Sequence, residues 1–584
     1  MSAVLSAREP SAKYLVASRP SLIRDFELFA TAPAAFTKLR ELILVLAVRG
    51  NIVKQRSEDE PASSLIAKIE KEKIRLISEK RLRNRSELPS ISEAEHSFSL
   101  PVGWVWSRLG NLGDWGAGAT PSRSRGDYYG GDIPWFKSGE LTGDSIGQSE
   151  ETVTQLALKE CSLRLNQVGD VLVAMYGATI GKTAILAKVG TTNQAVCACT
   201  PFSGLDKRYL LLLLKALRPY FVSIGAGGAQ PNISREKLIA TVVGLPPLAE
   251  QHRIVTRVEE LMKLCDALEA RGRLADEQHA RLTSTLFDAL AASESAHALA
   301  ENWQRIAEHF DLLLDRPDAI GALEQTILQL AARGLLVPQN AKDESATALL
   351  KRVAAKQAAL ESEVKSQARE EGEEPDAPYP LPEDWAWASL GELTENMGSG
   401  WSPACDEGER TDPNRWAVLR TTAVQLMEYR SHEHKALPAK LQGRPGIEVK
   451  QGDILITRAG PMNRVGVSCW VDQTPHRLML SDKIVRFHII DDEMLPAFVV
   501  MSLNAGWTKD QLEASKSGMA ASQVNITQSD LRNILIPVCS RAEQNRIVVR
   551  VEELRHLCAQ LRERLTSARR TQSQLAEALV AEAA

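Results

Sequence analysis

What this 584-residue sequence does not contain bounds its function. No run of about 18 apolar residues is free of charge, so no helical membrane span is expected. The 8 cysteines (Cys161, Cys197, Cys199, Cys265, Cys405, Cys469, Cys539 and Cys558) include no Cys-x-x-Cys pair. Zinc therefore has no support from spacing, and a reducing, cytoplasmic compartment is expected. The histidines lack metal-ligand spacing; His432 and His434 only flank Glu433 in a polar stretch. There is no Asn/Asp-Pro-Pro-aromatic signature of an amino-methyltransferase and no paired-carboxylate-plus-lysine nuclease pattern. Glu70-Lys71-Glu72-Lys73 falls on the charged face of an expected helix. A net charge of -4 does not advertise a nucleic-acid partner, yet a basic cleft is compatible with acidic surface elsewhere. Residues 1–31 scatter Arg8, Lys13, Arg19 and Arg24 without a compact apolar core, which reads as a flexible arm rather than a signal peptide.

What is there is written twice. Leu100-Pro101-Val102-Gly103-Trp104-Val105-Trp106 returns as Leu381-Pro382-Glu383-Asp384-Trp385-Ala386-Trp387. Ala249-Glu250-Gln251-His252-Arg253-Ile254-Val255 returns as Ala542-Glu543-Gln544-Asn545-Arg546-Ile547-Val548. A repeat on the scale of half the chain implies repeated domains rather than a short-period solenoid. Each half opens with a helical lead-in, residues 32–99 and 297–380, whose first helix ends at Arg49-Gly50 or Arg333-Gly334, where a C-cap glycine fits. Second lead-in helices are expected from Ser64 through Arg83 and from Ala348 through Arg369, followed in the second half by an acidic, proline-rich linker. Strand-rich domains are expected over 100–246 and 381–538, each with a Gly-Asp turn feeding a β-branched strand at Gly169 and Gly452.

Long helices are expected over 247–296 and 539–584. Ile254, Val258, Leu261, Cys265, Leu268, Leu282 and Leu286 recur at spacings of four and three around a soft centre at Gly272, Ala275 and His279. Ile547, Val551, Leu554, Cys558, Leu561, Leu565, Leu575 and Leu579 repeat that stripe, so a coiled-coil seam pairing the two helices is expected. The fold class is then α+β: two mixed strand-rich domains separated by long antiparallel coiled-coil helices, an internal duplication with pseudo-twofold symmetry.

No catalytic constellation emerges. Gly177-Ala178-Thr179-Ile180-Gly181-Lys182-Thr183 places three residues between its glycines where a phosphate loop needs four, so a hairpin tip is the expected structure. What remains is binding chemistry: hydroxyls, amides, cations and aromatics that suit phosphate oxygens and base edges. The candidates in the first domain are Thr120, Ser122, Arg123, Arg125, Lys137, Lys182, Gln230 and Asn232. Those in the second are Ser399, Trp401, Arg420, Thr421, Arg458, Arg464, Gln523 and Asn525. Two other readings stay open from the residues alone: a nucleotide enzyme built on the Gly177–Thr183 loop, and a coiled-coil scaffold without sequence-specific DNA binding.

The paired Leu-Pro-x-x-Trp borders, Ala119-Thr120-Pro121-Ser122-Arg123, Ile133-Pro134-Trp135, Gln230-Pro231-Asn232-Ile233, and Leu245-Pro246-Pro247-Leu248-Ala249-Glu250-Gln251 together resemble the specificity subunit of type I restriction–modification enzymes. The second half departs where Val538-Cys539-Ser540-Arg541 precedes Glu543-Gln544. The resemblance implies a noncatalytic protein whose two target recognition domains each read half of a split site in double-stranded DNA. It implies partners as well: two methyltransferase subunits and two restriction/translocase subunits, and no membrane. Those partners would use S-adenosylmethionine, ATP and magnesium, with no cofactor bound by this chain.

Overall fold

The computed structural model describes residues 29–583 except 33, 84–86, 226–230, 361–378, 407 and 491–493. It divides into two compact units, Met1–Leu274 with Arg569–Ala584, and Ala275–Ala568.

Each unit contains an apolar lead-in helix, Ala35–Val48 or Pro317–Ala332, the second preceded by the helices Ala296–Glu308 and Phe310–Leu313. Both helices end at a left-handed glycine, Gly50 at φ +77° and Gly334 at φ +71°. A Cβ at Gly50 would stand 2.5 Å from Pro101 Cγ and 2.9 Å from the Trp104 ring; one at Gly334 would stand 2.7 Å from Pro382 and 3.0 Å from Trp385. The Arg-Gly helix end and the Leu-Pro-x-x-Trp border are therefore two sides of one tight contact in each unit. Second lead-in helices cover Ala62–Ser78 and Ala346–Leu360. The first stops short of Arg83 because Lys80 turns left-handed at φ 56° and the Arg81 amide donates back to the Leu76 carbonyl at 2.9 Å. Residues 361–378, which hold the expected continuation of the second helix to Arg369 and most of the linker after it, lie outside the described residues.

The strand-rich domains are closed at their base by antiparallel pairs: Val105–Arg108 with Val242–Leu245, and Ala386–Ser389 with Leu535–Val538. The returning strand of each pair feeds directly into a long helix. Within the first domain a five-stranded sheet runs in the order Gly113–Ala117, Val196–Pro201, Val171–Ala174, Thr183–Leu186, Ser145–Ile146. In the second, a four-stranded sheet runs Thr394–Ser399, Ile484–Ile489, Ile454–Thr457, Ser468–Trp470. A smaller sheet in each centres on Tyr129–Phe136 or Ala417–Leu419, with one antiparallel and one parallel neighbour. Gly169 and Gly452 take positive φ so that Asp170 and Asp453 turn back onto the amides of Gln167 and Lys450 at 2.9 and 2.8 Å. Cys197 and Cys199 lie on one buried face of their strand, and all eight cysteines are free of disulfides.

The long helices are Leu248–Ala291 and Arg541–Ala583, 44 and 43 residues. Ile254, Val258 and Cys265 are buried in the cluster that holds lead-in residues Ile43 and Ala47, with Leu261 packed against it and Leu268 half-buried. In the second unit, Ile547, Val551 and Cys558 are buried, with Leu554, Leu561 and Leu565 packed at the edge of their cluster. Leu282 departs from the expected stripe: it is 55% exposed, while Thr283, Phe287 and Leu290 are buried and Leu286 is half-buried. In that part of the helix Phe287 and Leu290, rather than Leu282, join the cluster that holds Ile306, Leu313 and Ile320.

Phe29, 1% exposed, packs with Ala32, Ala35, Ala576 and Leu579, so the last residues of the expected 1–31 arm are docked rather than loose. Leu575 packs at the edge of the same cluster. Arg40 on the first lead-in helix pairs with Asp266 and Glu269 at 2.7 and 2.6 Å, whereas in the second unit Glu324 on the lead-in helix pairs with Arg562 at 2.9 Å. The interaction is the same, with its polarity reversed.

Candidate nucleic-acid interface

In the first domain, strand pairing builds one cationic cluster. The antiparallel register sets Trp135 opposite Glu151. Glu151 then receives Arg123 at 2.6 and 3.2 Å and Lys137 at 3.1 Å, while Glu150 takes Lys137 at 2.7 Å. The Arg123 guanidinium also lies over the Tyr129 and Trp135 rings, 4.6 and 5.3 Å from their centroids, a favourable cation–π placement. Hydrogen bonds from Arg123 first and Lys137 second pull the Glu151 carboxyl down to about 2. Arg125 is held raised by Asp127 at 2.6 and 2.8 Å and lies over Tyr128. Thr120 bonds to Gln194, and Ser122 to Ser124 at 2.8 Å. Arg123, Arg125 and Lys137 are thus presented at the surface with carboxylates already on them.

A second cluster is differently charged. Residues 177–179 form one 3-10 turn between the antiparallel strands Val171–Ala174 and Thr183–Leu186, with no helix following. The Gly177 amide is spent on the Pro231 carbonyl at 2.8 Å and that of Lys182 on Thr179 at 2.9 Å. A phosphate loop needs free amides and a helix N-terminus, so the nucleotide reading has no structural basis here. The Gly177–Pro231 bond and the bridge from Tyr176 to Asn232 bring the turn against the Asn232 segment. Asn232 is exposed, and it is Ser234 rather than Asn232 that caps the next helix, accepting from Lys237 N at 3.2 Å. Lys182 is half-buried and its amine meets no partner among the described residues. Gln230 lies outside the described residues.

The second domain brings its turn and amide segment together in the same way. Ala459–Gly460 pairs with Gln523–Asn525, and the Ile526 amide donates to the Arg458 carbonyl at 2.8 Å. Gln523 and Asn525 are exposed, Asn525 accepting from Ser517 at 3.0 Å; Arg458 is half-buried with an unpartnered Nε. Ser399 ends a sheet strand, half-buried, and Trp401 lies under the Arg444 guanidinium at 3.8 Å. Arg420 reaches Glu433 only at 3.9 Å.

Arg464 does not present its guanidinium for a ligand. It donates to the Thr421 and Val424 carbonyls at 2.8 and 3.0 Å and to Gln425 Oε1 at 3.0 Å. The Arg464 guanidinium braces this short loop, adding a second donor to the Thr421 carbonyl, which also accepts the Val424 amide. Thr421 is engaged through its backbone in that brace. Sequence reasoning missed Glu150, Glu151, Gln194 and Arg444. Only the strand register brings Glu151 beside Arg123, so no local motif carried that signal. No group of three or more metal-ligating side chains occurs among the described residues, and no described helix is long and apolar enough to cross a membrane.

Residues 101–276 match the family model described as the type I restriction modification DNA specificity domain. The chain is 39% identical over 559 residues to the type I restriction enzyme EcoEI specificity subunit of Escherichia coli, covering 93% of each chain. It is 30% identical over 569 residues to the EcoAI specificity subunit of the same organism, covering 93% of this chain and 92% of that one. Among solved structures, the HsdS subunit from Thermoanaerobacter tengcongensis is 18% identical with a TM-score of 0.36, covering 83% of this chain and 98% of that one. Near-complete coverage by two sequence relatives, over domains whose surfaces carry cations, amides and aromatics, settles the family: the chain belongs to the type I restriction enzyme specificity subunits.

Proposed function

We propose that this noncatalytic specificity subunit reads a bipartite target in double-stranded DNA, one half-site per strand-rich domain. The observation that carries the reading is the repeated arrangement of a turn and an amide segment: Lys182 with Asn232 in one domain, Arg458 with Gln523 and Asn525 in the other. Each offers a cation suited to phosphate beside an amide suited to adenine. Divergence between the two domains outside their matched borders supports two different half-sites.

The two halves are an internal duplication related by a pseudo-twofold axis, which presents equivalent docking surfaces to two methyltransferase subunits, with two restriction/translocase subunits completing the cytoplasmic complex. S-adenosylmethionine, ATP and magnesium belong to those partners. The long helices pack antiparallel as a coiled coil and act as the ruler between half-sites. Ile254 to Leu286 spans about 48 Å at 1.5 Å per residue, or about 14 base pairs at 3.4 Å each, which accommodates two short half-sites and a gap of about 6–8 base pairs. The exchange experiment is direct. Replacing residues 100–246 with the domain of a relative should change one half-site in methylated products and leave the other half and the gap intact; simultaneous change of both halves refutes the two-reader model.

A further inference from the structure

The repeated Glu-Gln-x-Arg run at the start of each long helix has its Glu and Gln buried and is bonded alike in both units. Glu250 is 1% exposed and accepts the Trp104 indole N–H at 3.1 Å and the Gln55 amide at 3.2 Å. Glu543 is 2% exposed and accepts the Trp385 indole N–H at 3.1 Å and the Gln339 amide at 2.7 Å. Gln55 and Gln339 also donate to the carbonyls of Gly50 and Gly334, at 2.6 and 3.1 Å. One residue on, Gln251 accepts the Asp206 amide at 2.9 Å and Gln544 the Leu495 amide at 2.8 Å, each at the start of a helix or helix cap in the strand-rich core. Two further on, Arg253 pairs with Asp59, and Arg546 with Asp343 at 2.6 Å.

The first turns of each long helix are therefore pinned to the domain's opening strand through Trp104 or Trp385, to its interior through Gln251 or Gln544, and to the lead-in through the Gln and Asp partners. A buried carboxylate is a costly way to obtain stability alone, since desolvation offsets much of the gain and an apolar contact would serve as well. What it adds over an apolar contact is direction: an acceptor with two donors at set angles fixes orientation.

We propose that the Trp104–Glu250–Gln55 and Trp385–Glu543–Gln339 joints are positioning sites that set the angle between each DNA-reading domain and its long helix, and so the sharpness of the gap length between half-sites. This rests on the reading of those helices as the ruler. The leverage is large. A 44-residue helix is about 66 Å long, so a play of about 5° at the joint moves its far end by about 6 Å, nearly two base-pair steps. Because the joint carboxylates are buried and are not among the residues proposed to read bases, loosening them leaves the bases read in each half unchanged.

The test uses the full chain assembled with its methyltransferase subunits on a library of sites with varied gaps, sequenced for methylated adenine. Trp104→Phe keeps the ring and removes the indole donor; Gln55→Ala removes the second donor from an exposed residue and serves if the first variant does not fold. Expected is a rise of about tenfold in methylation at gaps one base pair longer or shorter, relative to the preferred gap, the equivalent of about 1.4 kcal/mol, with half-site bases unchanged. A folded variant with lowered thermal stability and the wild-type gap profile overturns the proposal, because a joint that only stabilises would behave that way. A matched seven-residue insertion in both long helices is the control, expected to lengthen the gap by about three base pairs. If the insertion shifts the gap and the joint variants do not sharpen or broaden it, the joint inference fails alone; if the insertion leaves the gap unmoved, the ruler reading fails.

Discussion

Glu151→Ala isolates the electrostatics of the first domain. Glu151 holds Arg123 through two bonds and Lys137 through one, and Glu150 remains on Lys137 at 2.7 Å after its removal. The substitution therefore frees Arg123 fully and Lys137 in part, while Tyr129 and Trp135 keep the guanidinium in place. If these cations face the DNA backbone, one to two further phosphates are neutralised. The slope of log affinity against log salt for a non-specific duplex should then steepen by about 0.9–1.8, and a drop from about 200 to about 50 mM salt should tighten binding by an extra factor of about 3–12 over wild type. The specificity ratio falls correspondingly, because the gain is shared by all sequences. Fluorescence anisotropy across a salt series, with cognate and scrambled duplexes, reads both quantities. Glu151→Gln, which keeps the shape, should act in the same direction. A slope equal to wild type in a folded variant means that these cations do not meet phosphate, and the first cluster is then not part of the interface.

Lys182→Ala should reduce the salt slope by about 0.9 without altering thermal stability, whereas Arg464→Ala, which removes three hydrogen bonds from the Thr421 and Val424 carbonyls and Gln425 Oε1, should cost about 1.5–3 kcal/mol in urea titration. Arg40→Glu sets a third carboxylate beside Asp266 and Glu269 and should lower stability by about 1 kcal/mol; adding Glu269→Arg, which copies the polarity of Glu324 and Arg562, should restore part of it in a double-mutant cycle. Burial, opposed by the Trp104 and Gln55 bonds, raises the Glu250 carboxyl above its ordinary 4.5, so its contribution to stability is greatest below that value and declines as pH rises through the folded-state value. Trp104→Phe removes a bond made to the charged form, so its penalty should be about 1.5–3 kcal/mol near pH 8 and smaller near pH 5.

The elements with local signals were legible in the sequence. Glycine after the lead-in helices and the Gly-Asp turns each depend on residues within a few positions. The repeated Trp and Glu-Gln runs were visible as motifs, but their meaning was not, because Trp104 and Glu250 meet only through the pairing of Val105–Arg108 with Val242–Leu245. The same limit hid Glu151 behind Arg123 and made Arg464 look like a surface cation. Leu282 left the stripe because a spacing pattern states periodicity, not the direction of the neighbour, and near that position the neighbours are Ile306, Leu313 and Ile320.

The docking of Phe29, Ala32 and Ala35 against Ala576 and Leu579 has a consequence in time rather than in space. The ribosome makes the first side of that cluster some 540 residues before the second, roughly half a minute to two minutes earlier at about 5–20 residues per second. Throughout that interval the first lead-in helix has its apolar end uncovered, while the reader that follows it is free to fold on its own strands. The first unit is completed only when the final turns of the last helix arrive, so a chain cut short before Ala576 leaves Phe29, Ala32 and Ala35 exposed to chaperones and proteases.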